Sequence, residues 1–309
     1  MGSFKPKIMQ PILFAIKDYK YLQQELIETG EFEEGKVNRT EFSDGELYQQ
    51  FTNEVEGRKA IVIGGTNNDR STLELYDLAS SLVNYGVDSI SLVVPYFGYS
   101  TMERAIKPGE VITAKTRAHL FSSIPRSNKG NKVYLFDLHT EGLPHYFESP
   151  LRAIHVYCKQ LVMNAAKEFG GEEFVLGSTD AGRAKWVESL ARELFVNPAF
   201  ILKRREGENT EVTAVNANVN GKNVVIYDDM IRSGGSIVNA AKTYKNAGAK
   251  NIYVITTHGL FVGNGLKKIK DSGLVEKVIC TNTHPNVEAI KGDFLEVKSI
   301  GGLIKENVL

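Results

Sequence analysis

The chain has 309 residues, 42% of them hydrophobic and 24% charged, with 37 basic residues balancing 37 acidic ones. That length supports two ordinary cores, and the absence of a long single-sign block argues against a nucleic-acid surface or a charged membrane patch. Two cysteines, Cys158 and Cys280, lie far apart and in no metal-like spacing, which argues against a disulfide framework or a zinc site. The opening MGSFKPKIMQPILF has no long apolar core followed by a cleavage site, and no run approaches the ~20 apolar residues of a membrane span. A cytoplasmic protein with neither membrane nor nucleic-acid partners is expected.

Along the chain, short β-rich runs alternate with amphipathic stretches. Strands are expected at residues 60–64 (AIVIG), 91–95 (SLVVP), 132–136 (KVYLF), 173–177 (EFVLG), 224–227 (VVIY) and 252–256 (IYVIT), each bounded by Gly, Asn, Asp or Pro. Between them, stretches such as 71–86 and 236–248 repeat apolar residues at helical spacing and stop at Gly86 and Gly248. This alternation predicts an α/β fold of parallel sheets with helices on both faces.

Residues 86–99 (GVDSISLVVPYFGY) and 248–261 (GAKNIYVITTHGLF) share their length and their order of Gly, polar pair, Ile, strand and aromatic end. The stretches ahead of them match as well, Ile61 falling opposite Val224, with one extra residue in the first loop. A duplicated α/β domain follows, two tandem halves over 1–150 and 151–309.

Only the second copy carries DDMIRSGGSI, residues 228–237. A strand ending at Tyr227 places Asp228 and Asp229 at the carboxyl edge of the sheet, where open α/β folds bind ligands. Adjacent carboxylates there accept from a vicinal diol, or share magnesium through water. Ser233, Gly234, Gly235 and Ser236 let the backbone approach closely and aim N–H groups and a helix N-terminus at a phosphate. The combination describes a ribose diol with a phosphate at its other end. Neither GxGxxG nor GxxxxGK[ST] occurs, which disfavours a dinucleotide fold or a P-loop ATPase.

With these residues the sequence resembles the ribose-phosphate diphosphokinases of the phosphoribosyltransferase-like superfamily. FSDGELY (42–48), DLH (137–139), STDAGRAK (178–185), KRR (203–205), DDMIRSGGSI and THGLF (257–261) follow the family's order over nearly the whole chain. The resemblance implies two phosphoribosyltransferase-like domains, a homo-oligomer from dimer to hexamer, and a requirement for ATP and Mg2+. The implied reaction moves the β,γ-diphosphate of ATP to the anomeric hydroxyl of ribose 5-phosphate, releasing AMP. It also implies that Phe42, Asp44 and Glu46 reach the ATP site of a neighbouring subunit, and that His139 contacts ATP phosphates or magnesium. Asp180, in a Gly-bounded turn after a strand, suits a magnesium–diphosphate clamp. Lys203 and Arg205 match a catalytic lid, in what reads as an exposed, mobile excursion whose cations stabilise charge built at phosphorus.

Three departures stand out. Thr101, Met102 and Ile106 replace an Arg-Gln pair and an Asp usual in the family beside ATP. TEGLPHYFESP after DLH lacks the family's Gln-rich sequence. Arg232 stands where the family has Asp, adding a fork able to grip a second phosphate. An ADP-ribose acceptor, giving ADP-ribose pyrophosphate in NAD salvage, is therefore an alternative to ribose 5-phosphate. A phosphoribosyltransferase is disfavoured by the duplication, DLH and KRR. A non-catalytic regulatory paralogue is disfavoured because Lys203, Arg205, His139, Asp180 and the acid pair are all present.

Overall fold

The computed structural model describes residues 9–179, 182, 184–206 and 209–309, with side chains outside 202–214. The chain divides into two compact units, one formed by residues up to Val156 together with Gly301–Leu309, the other by Tyr157–Ile300.

In the first unit, strands β1 (Ile12–Ala15), β2 (Glu33–Glu34), β5 (Lys59–Ile63), β6 (Ser89–Val94), β7 (Asn131–Phe136) and β8 (Leu151–Val156) form one sheet in the order β2-β1-β5-β6-β7-β8. All its pairings are parallel. Helices α1 (Lys20–Ile27), α2 (Asp69–Asn84) and α3 (Thr113–Ser122) link the strands, and β3 (Val37–Glu41) and β4 (Leu47–Phe51) form a separate antiparallel hairpin.

The second unit holds α4 (Lys159–Gly170), β9 (Phe174–Ser178), α5 (Ala184–Leu194) and β10 (Asn197–Ala199), then a ribbon of β11 (Ile201–Glu206) and β12 (Asn209–Val215). β13 (Asn223–Ile231), α6 (Gly235–Asn246), β14 (Ile252–Gly259), α7 (Gly265–Asp271), β15 (Lys277–Thr281), α8 (Asn286–Ile290) and β16 (Leu295–Lys298) complete it. Its parallel sheet runs β10-β9-β13-β14-β15-β16, the same order as the first. Both faces are covered, so apolar residues occupy both sides of a strand. Val224 and Ile226 pack with Tyr244 and Ile237 of α6, while Val225 and Tyr227 pack with Val162 of α4 and Leu190 of α5.

The last helix, α9 (Gly301–Val308), departs from the expected 151–309 domain. It lies in the first unit, where Ile304 and Val308 are buried and Lys305 pairs with Glu31 at 2.8 Å. The Lys59 ammonium also donates to the Val308 carbonyl. Polar and apolar anchors together return the chain end to its starting unit.

The duplication is written into the hydrogen bonds. Gly57 N donates to the Gly86 carbonyl at 2.8 Å and Gly221 N to that of Gly248 at 2.9 Å, the two acceptors being left-handed glycines past the ends of α2 and α6. Tyr99 and Phe261, both aromatic, take left-handed φ of 61° and 45° at equivalent places. The strand register corrects the repeat by one residue: Ala60 lies beside Ile90 and Val224 beside Ile252, so Ala60, not Ile61, is the counterpart of Val224. The first copy is thus two residues longer in this interval, not one. A one-residue slip exchanges the faces of a strand, so the correction decides what corresponds to the acid pair.

Candidate functional site at the carboxyl edge of the second sheet

In each sheet the chain order reverses between the first strand and its inner neighbour, β1 and β5 in one unit, β9 and β13 in the other. The crevice at the carboxyl ends of such a strand pair is where open α/β sheets take ligands. The two crevices differ in what fills them.

With the corrected register, Gly64 and Gly65 are the counterparts of Asp228 and Asp229. A Cβ on Gly65 would stand 2.1 Å from the Tyr19 hydroxyl, and one on Gly64 would stand 3.0 Å from Ile16. No acid fits there. The cavity of about 620 Å³ beside this edge is lined by charges that are largely paired among themselves, Arg39 with Glu74 at 2.7 Å and Arg70 with Glu41 at 2.6 Å. Its helix, α2, is already capped: Asn68 accepts from Ser71 N at 2.9 Å, and Asp18 accepts from the Ser71 hydroxyl at 2.9 Å.

The second crevice is built differently. β13 continues through the acids to Ile231 rather than ending at Tyr227, whereas its partner β9 stops at Ser178, opposite Tyr227. Ile231 rejoins the apolar cluster of Val224 and Ile226, so the alternation of faces breaks across the acid pair. Asp228 is half-buried and accepts from the Thr179 hydroxyl at 3.0 Å, while its other oxygen takes Asp229 N at 3.0 Å. Asp229 is buried. Thr179, just past β9, was not singled out from the sequence, although it lies inside STDAGRAK.

Beyond the acids, Gly234 takes φ 74° and α6 begins with no side-chain cap and no acid in its first turn. Its first N–H groups are left for a ligand. The loop is fixed from behind by a second glycine. A Cβ on Gly234 would meet the Gly265 carbonyl at 2.7 Å, one on Gly265 would meet the Arg232 carbonyl at 2.5 Å, and Val262 N donates to that same Arg232 carbonyl at 2.9 Å. Arg232, Ser233 and Ser236 are exposed at the rim. Tyr244 ties α6 to the sheet, its hydroxyl donating toward the carbonyls of Ser178 (2.9 Å) and Ala199 (3.0 Å). Burial pushes its phenol well above the ordinary range.

The THGLF motif lies where β14 ends. His258 is buried with its Nδ1 2.9 Å from the Thr283 hydroxyl. Nearby His284 is lowered to about 4 by burial and by the charge of His258.

The other expected residues fall elsewhere. Phe42, Asp44 and Glu46 share the exposed turn between β3 and β4, closed by Phe42 N to the Glu46 carbonyl and by Glu46 N to the Asp44 carboxylate. His139 is half-buried in the turn after β7, which opens on Asp137 at φ 35°. Lys203 and Arg205 sit on β11, opposite Val212 and Thr210 of β12. Two residues apart, their positions share one side of the ribbon. Asp180 lies outside the described residues. Thr101, Met102 and Ile106 occupy an irregular segment in which Met102 and Ile106 are exposed.

Magnesium prefers hard oxygen ligands. The carboxylates of Asp228 and Asp229 are of that kind, although among the described residues no group of three His, Cys, Asp or Glu side chains converges on one point. The donor set therefore fits an ion that takes most of its remaining ligands from water and substrate phosphates. Among the described residues no helix is long and apolar enough to cross a membrane.

Comparison with known proteins agrees with this geometry. Residues 11–124 match the model of the N-terminal domain of ribose phosphate pyrophosphokinase, and residues 180–308 match that of the phosphoribosyl synthetase-associated domain. The ribose-phosphate pyrophosphokinase of Fusobacterium nucleatum is 32% identical over 284 residues, covering 90% of this chain and 88% of that protein. That of a Nostoc species is 32% identical over 301 residues, covering 96% and 89%. The crystal structure of phosphoribosylpyrophosphate synthetase from Mycobacterium smegmatis superposes with a TM-score of 0.86 at 24% identity, over 97% of this chain and 98% of that one, a likeness of fold. The chain belongs to the ribose-phosphate pyrophosphokinase family of transferases.

Proposed function

We propose that the protein transfers the β,γ-diphosphate of ATP to the anomeric hydroxyl of ribose 5-phosphate, releasing AMP. The observation that carries this reading is the contrast between the two crevices: the first has two glycines packed against Ile16 and Tyr19 and a capped helix start, and the second has two acids and an uncapped helix start. In the second crevice Asp228 and Asp229 accept from the ribose 2- and 3-hydroxyls, and Thr179 holds Asp228 for that task. The N–H groups of residues 233–236 receive the 5-phosphate. The anomeric oxygen attacks the β-phosphorus while the bridging oxygen leaves with AMP. By their match to KRR, Lys203 and Arg205 meet charge built on the transferred group, and by its match to STDAGRAK Asp180 holds the diphosphate end; His139, by its match to DLH, contacts ATP phosphates. Magnesium, when bound, neutralises phosphate charge, with Asp180 and His139 as the residues expected to face it and the acid pair acting through its water shell. The exposed hairpin tip of Phe42, Asp44 and Glu46 is offered to the ATP site of a second copy in a homo-oligomer, the aromatic packing on adenine.

A second acceptor is favoured by one observation. Arg232 is exposed at the rim of the cradle, where a guanidinium fork reaches a phosphate beyond the first. ADP-ribose carries the same ribose and that extra phosphate. AMP release from ATP, measured with ribose 5-phosphate and with ADP-ribose, tests both readings. Turnover of ribose 5-phosphate supports the first. Preference for ADP-ribose, lost in Arg232→Asp, supports the second, and no AMP with either acceptor rejects both.

A further inference from the structure

The cradle has a cation that no sequence motif marks. Lys268 lies one turn into α7, and its Nζ stands 3.4 Å from where a Cβ on Gly235 would be, against the first turn of α6. The other lysines of that helix are engaged elsewhere: Lys267 pairs with Asp271, and Lys270 lies 6.0 Å above the Phe294 ring. Lys268 is exposed and makes no ion pair within the described residues.

This placement is electrostatically odd without an anion. The start of α6 carries the positive end of the helix dipole, roughly half a charge. No acid sits in its first turn and no side chain caps it. An ammonium brought to that spot adds like charge to like charge. Nor is the approach an accident of a loose surface helix. Gly265, the first residue of α7, packs on the Arg232 carbonyl too closely for any side chain, and Gly234 packs on the Gly265 carbonyl in turn. The two glycines lock the turn before α7 to the loop before α6, and Lys268 follows from that lock.

We propose that Lys268 is a binding residue for the 5-phosphate of the acceptor, supplying from α7 the charge-assisted contact that the backbone N–H groups of residues 233–236 lack. The assignment rests on the reading of that loop as the acceptor's phosphate cradle. A dianion between the N–H groups and the ammonium removes the repulsion between them, and the lysine then contributes to affinity for phosphate and phosphorylated sugars but not for unphosphorylated ribose.

Steady-state kinetics of AMP release, with competition by inorganic phosphate and by unphosphorylated ribose, tests this on wild type, Lys268→Met and Lys268→Arg. Lys268→Met should raise KM for ribose 5-phosphate roughly five- to tenfold, weaken inhibition by inorganic phosphate to a similar degree, and leave KM for ATP and inhibition by ribose unchanged. Lys268→Arg should restore most of the loss, which a purely structural role would not predict. If Lys268→Met has the wild-type KM for ribose 5-phosphate while wild type still prefers it to ribose, the role of Lys268 is overturned and the cradle stands. If wild type binds ribose as well as ribose 5-phosphate, the cradle itself is rejected, and Lys268 with it.

Discussion

The Thr179 hydroxyl donates to the Asp228 carboxylate at 3.0 Å across the gap between β9 and β13, where the order of the sheet reverses. One residue follows the end of the shorter strand and the other extends the longer one. Their bond fixes an acid at the mouth of the crevice while leaving it half-exposed for a ligand.

Removing that bond separates positioning from charge. Thr179→Val keeps the shape but takes away the donor, and the acceptor KM should rise about tenfold, the effect of one hydrogen bond to a charged group. Asp228→Asn should lower kcat/KM for the acceptor by about a hundredfold or more. Equal acceptor KM for Thr179→Val and wild type would contradict the positioning role.

The glycine lock makes a graded series. Gly234→Ala and Gly265→Ala force a Cβ against backbone at 2.7 and 2.5 Å, whereas Gly263, with φ 59°, has open space around it. Gly263→Ala meets only the left-handed penalty of about 1–2 kcal/mol. The other two should be destabilised further, by several degrees in Tm beyond Gly263→Ala, and should bind the acceptor weakly. Thermal melts of the three variants check the order.

Acid stability should depend on His284. Burial and the charge of His258 lower it to about 4, against an ordinary value of 6.5. The unfolded chain then binds the proton more readily between those two values. This contribution is complete above pH 6.5 and is lost as pH falls toward 4, amounting to about 2 kcal/mol by pH 5. Urea midpoints at pH 7 and pH 5 should differ less in His284→Gln than in wild type; the same difference in both proteins would rule His284 out.

The lid cations should act on rate. Lys203→Ala and Arg205→Ala should each lower kcat by about 10²–10³-fold, with KM for both substrates changed by no more than about threefold. A large rise in KM with kcat preserved would place them in ground-state binding instead.

Much of this arrangement was legible in the sequence because periodicity and glycine punctuation are local signals. The runs at 60–64, 132–136 and 252–256 overlap β5, β7 and β14, and Gly86 and Gly248 do end helices. The acid pair and its glycine turn are contiguous, so the motif could be read as a unit, although the acids belong to β13 and not to the loop after it. What stayed hidden depends on contacts distant in sequence. Lys268 reaches Gly235 only because the chain returns through β14 and a glycine turn. The true partner of Val224 in the repeat is fixed by strand register, which a run of similar apolar residues leaves ambiguous by one. That Lys203 and Arg205 lie on a strand was hidden because polar residues dominate their surroundings, and the pairing with β12 is visible only in the backbone.

The most direct test of the central claim is phosphorus NMR of a reaction containing the protein, ATP, Mg2+ and ribose 5-phosphate. The account predicts AMP and a new diphosphate ester on the anomeric carbon, in equal amounts, with both lost in Asp228→Asn. ADP or free orthophosphate as the main product, or an unchanged spectrum, would contradict it.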